Sequence, residues 1–478
     1  MTSVRSSDND IAKRLLGLSA WIRSQAWLQP IYRKFPQSLR NWVSFLLASR
    51  ASKRSRFQKT VNWERVTALP VQSAPAAPID GAGVNLFGYL RGQFGLAESA
   101  RMYARALIGE GYPAALFDVS IDLPHGMDDR SIDAHLGKDT PYPVSIIFVN
   151  PDYLGSALKH IGEGRLRGHY LIACWFWELQ DIPADWLRAI DLVDEIMVAS
   201  EFVKTAFERV TDKPVFCVPQ PLTPAPDSGL LREDFGLRED TFIYLCTFDF
   251  NSWVHRKNPF AVIEAFRRAF PAERTDVQLL VKSSNGYRHP DKLLKLLKAS
   301  AQDPRIIVRD EVIDRAHVHA LQRCCDVYVS LHRAEGFGLG LAECMAMGKP
   351  VIATRWSGNV DFMDDSNSCL VDYRLVPVGD GEYPHPDGAM WADADVDHAA
   401  RHMRRLADDR AFAEGLGAKA AADVARKLSP ATAAQGLIQR IEAIARARAS
   451  SPPVSDPAGS MHALADEGAR TAPQRHTR

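Results

Sequence analysis

Two glutamates, Glu335 and Glu343, bracket Gly336, Gly338 and Gly340 in the stretch HRAEGFGLGLAECMAMGKPVIAT at residues 332–354. The apolar run VYVSLHR leads into this segment, and LAECMAMG reads as a short helix closed by Gly348, with Pro350 beyond. Glycine lets the backbone approach a ligand closely, and amides at a helix N-terminus carry partial positive charge, so the segment suits an anion such as phosphate. A carboxylate accepts paired hydrogen bonds from vicinal hydroxyls, as on ribose or a hexose. A phosphate pocket flanked by two such carboxylates matches a nucleotide sugar, with Glu335 and Glu343 facing different parts of one extended ligand. The competing reading is a tight glycine turn between two solvated glutamates.

A cation is placed to join them. In Arg256-Lys257-Asn258-Pro259, Asn258 suits an N-cap and Pro259 the first position of the helix PFAVIEAFRRAF, which holds Lys257 beside a strand end. A lysine fixed there neutralises a diphosphate leaving group. Further residues follow strand-like runs, where open α/β sheets hold ligands. These are Asn150 after VSIIFV, and Trp177 and Glu178 after LIACWF. For Trp177 and Glu178 two readings stay open: a sugar-stacking wall with a hydrogen-bonding carboxylate, or a core aromatic with a helix cap.

The elements that must position these residues alternate in type. GVNLFGYL (83–90), RGQFGLAES (91–99) and SARMYARALIGEG give strand, glycine loop and helix, the opening of a nucleotide-type α/β domain. Strands are predicted at 144–150, 170–178, 195–200 and 215–220. After the Pro-rich hinge 221–229, a second series runs through 241–249, 277–284, 305–313, 327–333, 350–354 and 369–373. Such alternation gives parallel sheets covered on both faces, hence an α/β fold of two domains facing a cleft. After Ala392 the pattern is helical. There Asp393-Ala394-Asp395 reads as a helix start with Asp393 as N-cap, and not as a strand end, so no metal site is expected from this Asp-x-Asp string.

The resulting division is a basic amphipathic helical arm (1–65), a linker (66–80), a first domain (81–222) and a second domain (223–429). A helix follows at 430–448, returning toward the first domain, and then a tail (449–478) poor in large apolar residues and expected to be disordered. Lys plus Arg and Asp plus Glu are 58 each among 478 residues, which argues against nucleic acid as a partner. Residues 1–60 nevertheless hold twelve Lys or Arg against Asp8 and Asp10. With Trp and Leu at helical spacing, the arm suits either an anionic membrane surface or packing on the body of the protein. No apolar run reaches the roughly 18 residues that span a bilayer, and no signal peptide is evident. The seven cysteines include no CxxC pair and read as reduced core thiols, so a cytoplasmic protein, peripheral at most on the inner face of the plasma membrane, is expected.

The segment SLHRAEGFGLGLAECMAMGKPVIATRWSGNVDFM (330–363) closely resembles the signature of retaining glycosyltransferases of family 4 (glycosyl transferases group 1), including two glutamates with seven residues between them. The likeness runs over roughly residues 83–447, through FDFNSWVHRKNPFAVIEAF, NSCLVDYRLVPV and WADADVDHAARHMRRL. It implies the GT-B fold, two Rossmann-like domains with the donor held mainly by the second. It also implies hexose transfer, with retention of configuration, from GDP-mannose or a UDP-sugar to a glycan or lipid-linked oligosaccharide, as in cell-surface polysaccharide or lipopolysaccharide synthesis. By resemblance Glu343 binds the donor ribose, Glu335 faces the donor sugar, and amides around Gly336, Phe337, Gly338 and Leu339 contact sugar and phosphate. Gly92 and Gly95 correspond to the glycine loop of the first domain, and the nucleotide sugar is a substrate, with no cofactor or metal expected. Lys257, Glu335 and Arg256 are the catalytic candidates. The family places an arginine six residues before its lysine, where this chain has Asn251. Arg256, Arg333 and Lys282 are the candidates to replace it.

Two other classes compete. A Rossmann-type oxidoreductase would carry GxGxxG after the first strand, which RGQFGLAES does not match. A non-catalytic nucleotide-sugar-binding scaffold at a membrane differs from the enzyme only in lacking turnover.

Overall fold

In the computed structural model, residues 55–66, 83–121, 126–223 and 225–450 are described. The first sheet comprises β1 (Val84–Gly88), β2 (Ala114–Asp118), β3 (Val144–Phe148), β4 (Tyr170–Cys174), β5 (Glu195–Val198) and β6 (Val215–Cys217), parallel and ordered β2-β1-β3-β4-β5-β6. The second comprises β7 (Phe242–Asp249), β8 (Val277–Ser284), β9 (Ile306–Asp310), β10 (Val327–Ser330), β11 (Val351–Thr354) and β12 (Cys369–Val371), parallel and ordered β12-β11-β10-β7-β8-β9. β1, β3 and β10 are buried along their whole length, the pattern of strands covered by helices on both faces. The chain reverses its direction of travel across the sheet between β1 and β3 in the first domain, and between β7 and β10 in the second. Open α/β sheets bind ligands outside the strand ends at such switch points.

Three local expectations are corrected. The strand expected over 305–313 stops at Asp310, and β2, an edge strand beside β1, was not anticipated. A hairpin of β13 (Tyr373–Pro377) and β14 (Met390–Ala394) pairs antiparallel where the pattern had suggested helix from Ala392. Asp393 therefore lies in a strand, bonded to Arg374 at 3.1 Å, and it is Asp395 that caps the helix Val396–Asp408, accepting from the His398 amide at 2.9 Å. The Asp-x-Asp string does end a strand.

The helix Pro430–Ser450 returns to the first domain, where Ala433, Leu437, Ile441 and Ile444 enter the core with Ala100, Tyr103 and Leu107 of the helix Gly95–Gly109. Arg440 reaches the fully buried Glu195 through two hydrogen bonds of 2.6 and 2.8 Å. At the other end, residues 55–66 pack on the second domain. Phe57 and Trp63 are buried against Phe235, and the Trp63 indole stacks on His317 at 4.2 Å between ring centres. Aromatics of this size bury on the order of 150–250 Å² each, so this end of the arm belongs to the body of the protein. Arm residues 1–54, the linker from residue 67 to 82 and the tail from 451 lie outside the described residues. Among the described residues no helix is long and apolar enough to cross a membrane, and all seven cysteines are free thiols.

Candidate active site between the two domains

The predicted residues follow the strands at the two switch points: Gly92 follows β1 and Asn150 follows β3, while Lys257 follows β7 and Glu335 follows β10. Leaving β10, the chain is pinned by side chains from the end of β11 and the loop after it. Thr354 Oγ1 donates to His332 O at 2.7 Å, and the Glu335 amide donates to Ser357 Oγ at 2.8 Å. Gly336 then passes under the first domain, where Ser200 Oγ donates to its carbonyl at 2.6 Å. A Cβ at Gly336 would sit 2.7 Å from the Trp177 carbonyl oxygen, so no side chain fits. Gly338 has φ +98°, a left-handed geometry that starts the helix Leu339–Ala346. Phe337 is a core residue and Gly340 falls in the first turn of that helix. The helix N-terminus at Gly338 and Leu339 thus opens beside Glu335.

Arg256 and Lys257 end a short helix, Val254–Lys257, bracketed by two non-glycine residues of positive φ, Trp253 (64°) and Asn258 (50°). Such residues cost roughly 1–3 kcal/mol each and persist only where surrounding contacts impose them, Asn being the better tolerated. Pro259 opens the next helix as expected. Asn258 does not cap it, because its left-handed backbone turns the side chain to donate to Leu331 O at 3.0 Å, tying this turn to the end of β10. The tie brings Lys257 Nζ onto Glu335 Oε1 and Arg256 Nη1 to 3.0 Å from Glu335 Oε2. Arg256 Nη1 also donates to Ala334 O at 2.9 Å, and Nη2 lies 3.4 Å from Glu178 Oε1 in the first domain. Burial pushes the Glu335 carboxyl up, but Lys257, Arg256 and His332 outweigh it and bring it down to about 2. Burial works against the charge on Lys257, and Glu335 recovers part of the loss.

Glu343 lies deeper in the second domain. It pairs with Arg315, accepts from Gln322 Nε2 at 3.3 Å, and has His319 Nε2 at 3.4 Å. Burial, then Arg315, drives His319 down to about 3, so that imidazole is neutral near pH 7.

The first-domain candidates divide. Gly92 is buried, its carbonyl accepting from Arg101 Nη1 at 2.7 Å, and Gly95 is exposed at the start of the helix Gly95–Gly109. Asn150 spends both ends of its amide on the Phe176 backbone, each at 3.1 Å, which ties β3 to the end of β4. Trp177 is a core residue, 5% exposed, packed on Trp186 and donating to Asp181 O at 2.8 Å, so it forms no wall. Glu178 is no helix cap: besides Arg256 it meets Tyr383, whose hydroxyl donates to Oε2 at 2.5 Å.

Of the candidates to replace the cation absent at Asn251, Arg256 is committed to Glu335 and Glu178. Arg333 lies 3.4 Å from Asp393 and 3.8 Å from Glu382. Lys282 is buried, its Nζ 2.7 Å from Ser284 Oγ, and burial lowers it to about 8. Asn251 itself accepts at Oδ1 from the His289 ring at 3.2 Å, and its buried Nδ2 has no protein partner. Sequence reasoning missed Tyr383, Ser200, Arg315 and Ser357. Ser357 lay inside the quoted signature, and the other three carried no local signal.

Residues 241–409, covering most of the second domain, match the family model described as glycosyl transferases group 1. The matched segment takes in both Lys257 and Glu335. Over 137 residues the chain is 28% identical to a trehalose synthase of Rubrobacter xylanophilus, a match spanning 28% of this chain and 32% of that protein. Among solved structures, a glycosyltransferase from Rickettsia africae superposes with a TM-score of 0.55 at 13% identity, covering 76% of this chain and 98% of that one. Sucrose-phosphate synthase from Thermosynechococcus elongatus gives 0.54 at 16% identity, covering 76% and 100%. Anabaena HepE, solved with UDP and glucose, gives 0.52 at 15% identity with the same coverage. The two-sheet architecture that the chain shares with these structures is the GT-B fold.

Proposed function

We propose that the protein is a family 4 glycosyltransferase that moves a hexose from a nucleoside-diphosphate sugar to a glycan or lipid-linked acceptor with retention of configuration. One observation carries this reading: Lys257 and Glu335, distant in sequence, are bonded to each other beside the open N-terminus of the helix Leu339–Ala346, at the switch point of a group 1 domain. HepE, solved with UDP-glucose as well, supports a donor of the same chemical class, and a UDP-hexose or GDP-mannose fits this description.

In this reading the diphosphate lies against the amides at Gly338 and Leu339, with Lys257 turned toward it. A carboxylate offers about four acceptor positions, so Glu335 has room for a sugar hydroxyl beside its two cations, and Glu343 for ribose hydroxyls beside Arg315 and Gln322. A carboxylate held by Lys257 and Arg256 is a poor nucleophile, which favours direct transfer. The acceptor oxygen bonds to the anomeric carbon, the bond from that carbon to the diphosphate oxygen breaks, and the acceptor proton passes to the departing diphosphate on the same face. Lys257 and the helix amides stabilise the charge that develops there.

A thermal-shift panel of UDP-glucose, UDP-N-acetylglucosamine and GDP-mannose, followed by a turnover assay with and without EDTA, tests this. One nucleotide is expected to raise the melting temperature by mass action and to support turnover that EDTA leaves unchanged. A shift without turnover on any acceptor would favour the binding scaffold, and no shift with any donor would defeat the assignment.

We further propose that the basic segment preceding residue 55 attracts anionic membrane. Truncation to residue 55 spares Phe57 and Trp63, and should weaken sedimentation with phosphatidylglycerol-containing vesicles at low salt. Unchanged partitioning would refute it.

A further inference from the structure

The β13–β14 hairpin leaves the second domain and inserts into the core of the first. Val378, Tyr383, Ala389 and Trp391 are buried in the same cluster as Trp177, Leu179 and Trp186. At its tip two neighbouring side chains part. Glu382 turns back to the second domain, 3.2 Å from His255 and 3.8 Å from Arg333. Tyr383 enters the first, with ring centres 5.8 Å from Trp177, 5.9 Å from Trp253 and 6.3 Å from Trp391. Its hydroxyl begins an alternating chain that ends at the candidate active site: Tyr383 to Glu178 at 2.5 Å, Glu178 to Arg256 at 3.4 Å, Arg256 to Glu335 at 3.0 Å, and Glu335 to Lys257.

We propose that the hairpin is a latch across the domain interface and that Tyr383, through Glu178 and Arg256, is a positioning residue for the Glu335–Lys257 pair. Four charges of alternating sign neutralise one another, so none is stranded in the buried interface. Within the proposed transfer reaction, on which this inference rests for its kinetic consequence, Lys257 turns toward the diphosphate when donor binds. Glu335 must then stay ionised and in place with Arg256 as its remaining cation. Ser252 O and Ala334 O hold one side of the Arg256 guanidinium, Glu178 holds Nη2 on the other side of the fork, and Glu178 is itself fixed by the Tyr383 hydroxyl. Burial and the neighbouring carboxylate keep that hydroxyl protonated, so it remains a donor throughout the working pH range. The device also explains why a carboxylate of the first domain reaches into the other domain's site: the chain is complete only when the domains are closed.

Tyr383→Phe removes one oxygen and leaves the ring packing in place. The variant is expected to melt as wild type does and to lose kcat on the order of tenfold, with a smaller rise in donor KM, since the sugar-hydroxyl contact proposed for Glu335 is displaced and not removed. Arg256→Lys abolishes the fork, so Tyr383→Phe added to Arg256→Lys should cost nothing further. Wild-type kcat in Tyr383→Phe, or losses that multiply in the double variant, would overturn the inference. A measurement independent of any donor separates its failure from failure of the proposed reaction. Amide hydrogen exchange is expected to quicken at residues 178–180 and 334–338 in Tyr383→Phe, and unchanged exchange there would overturn the latch whatever the protein transfers.

Discussion

Lys257→Ala is expected to lower kcat for transfer about 10²–10³-fold, the usual cost of removing one preorganised group aimed at developing charge. The loss should fall mainly on kcat, because the charge on the leaving diphosphate grows toward the transition state, and less on the donor KM. The protein should remain folded. Glu335 retains Arg256 at 3.0 Å, so removal of the lysine does not strand a buried carboxylate. Arg256 does not rescue the reaction, since Ala334, Glu335 and Glu178 already occupy its fork. Steady-state kinetics beside a melting curve decide the matter, and a folded variant within threefold of wild-type kcat would remove Lys257 from the site.

Glu335→Gln should be comparably damaging for a different reason. The variant keeps the shape of the side chain but takes away the negative charge between two cations. Removing one member of a buried ion pair costs roughly 3–5 kcal/mol, and because Lys257 is half-buried and Arg256 keeps Glu178, about 1–2 kcal/mol is expected here. The sharper consequence is in pH dependence. Burial already lowers the Lys257 amine, and the Glu335 charge raises it again, so its loss moves the amine further down. A lysine is charged below its pKa and neutral above it, so the residual transfer of Glu335→Gln should decline at lower pH than that of wild type. On the acid side the sign reverses. The wild-type carboxyl, near 4.3 when unfolded and about 2 when folded, contributes stability above its unfolded value that is lost as pH falls toward 2. The variant lacks that contribution. A wild-type pH profile in Glu335→Gln would show that the pair does not act as a unit.

How far these features could be read from sequence depended on how locally they were encoded. The buried parallel strands were legible because unbroken apolar runs such as VYVS and VIAT leave few alternatives, and the ligand-bearing loops follow from where such strands end. Glu335 and the helix opened by Gly338 share one short segment, so spacing alone located them. Asn258 shows the limit. Its identity fits a helix cap, but the contact it makes is with Leu331, just past the end of β10, a partner that no local rule supplies. The hairpin was missed for a related reason. β13 has no buried residue, only half-buried and exposed ones, and the Gly- and Pro-rich stretch beyond it reads as a loop, while the hairpin's stabilising contacts lie in a core built mainly from residues 87–207. Glu178 was identified, but the reason to attend to it is Tyr383, which nothing near it in sequence announces.

The return of the helix Pro430–Ser450 to the first domain has a consequence for synthesis. Chains ordinarily fold their N-terminal domain first as they emerge. Here the groove along the helix Gly95–Gly109 waits for Ala433, Leu437, Ile441 and Ile444, and the buried Glu195 waits for Arg440. Both partners are made only after the whole second domain. The domain begun first is therefore the last to be completed, and a ribosome that stalls between the two leaves an apolar groove and a buried charge open to solvent.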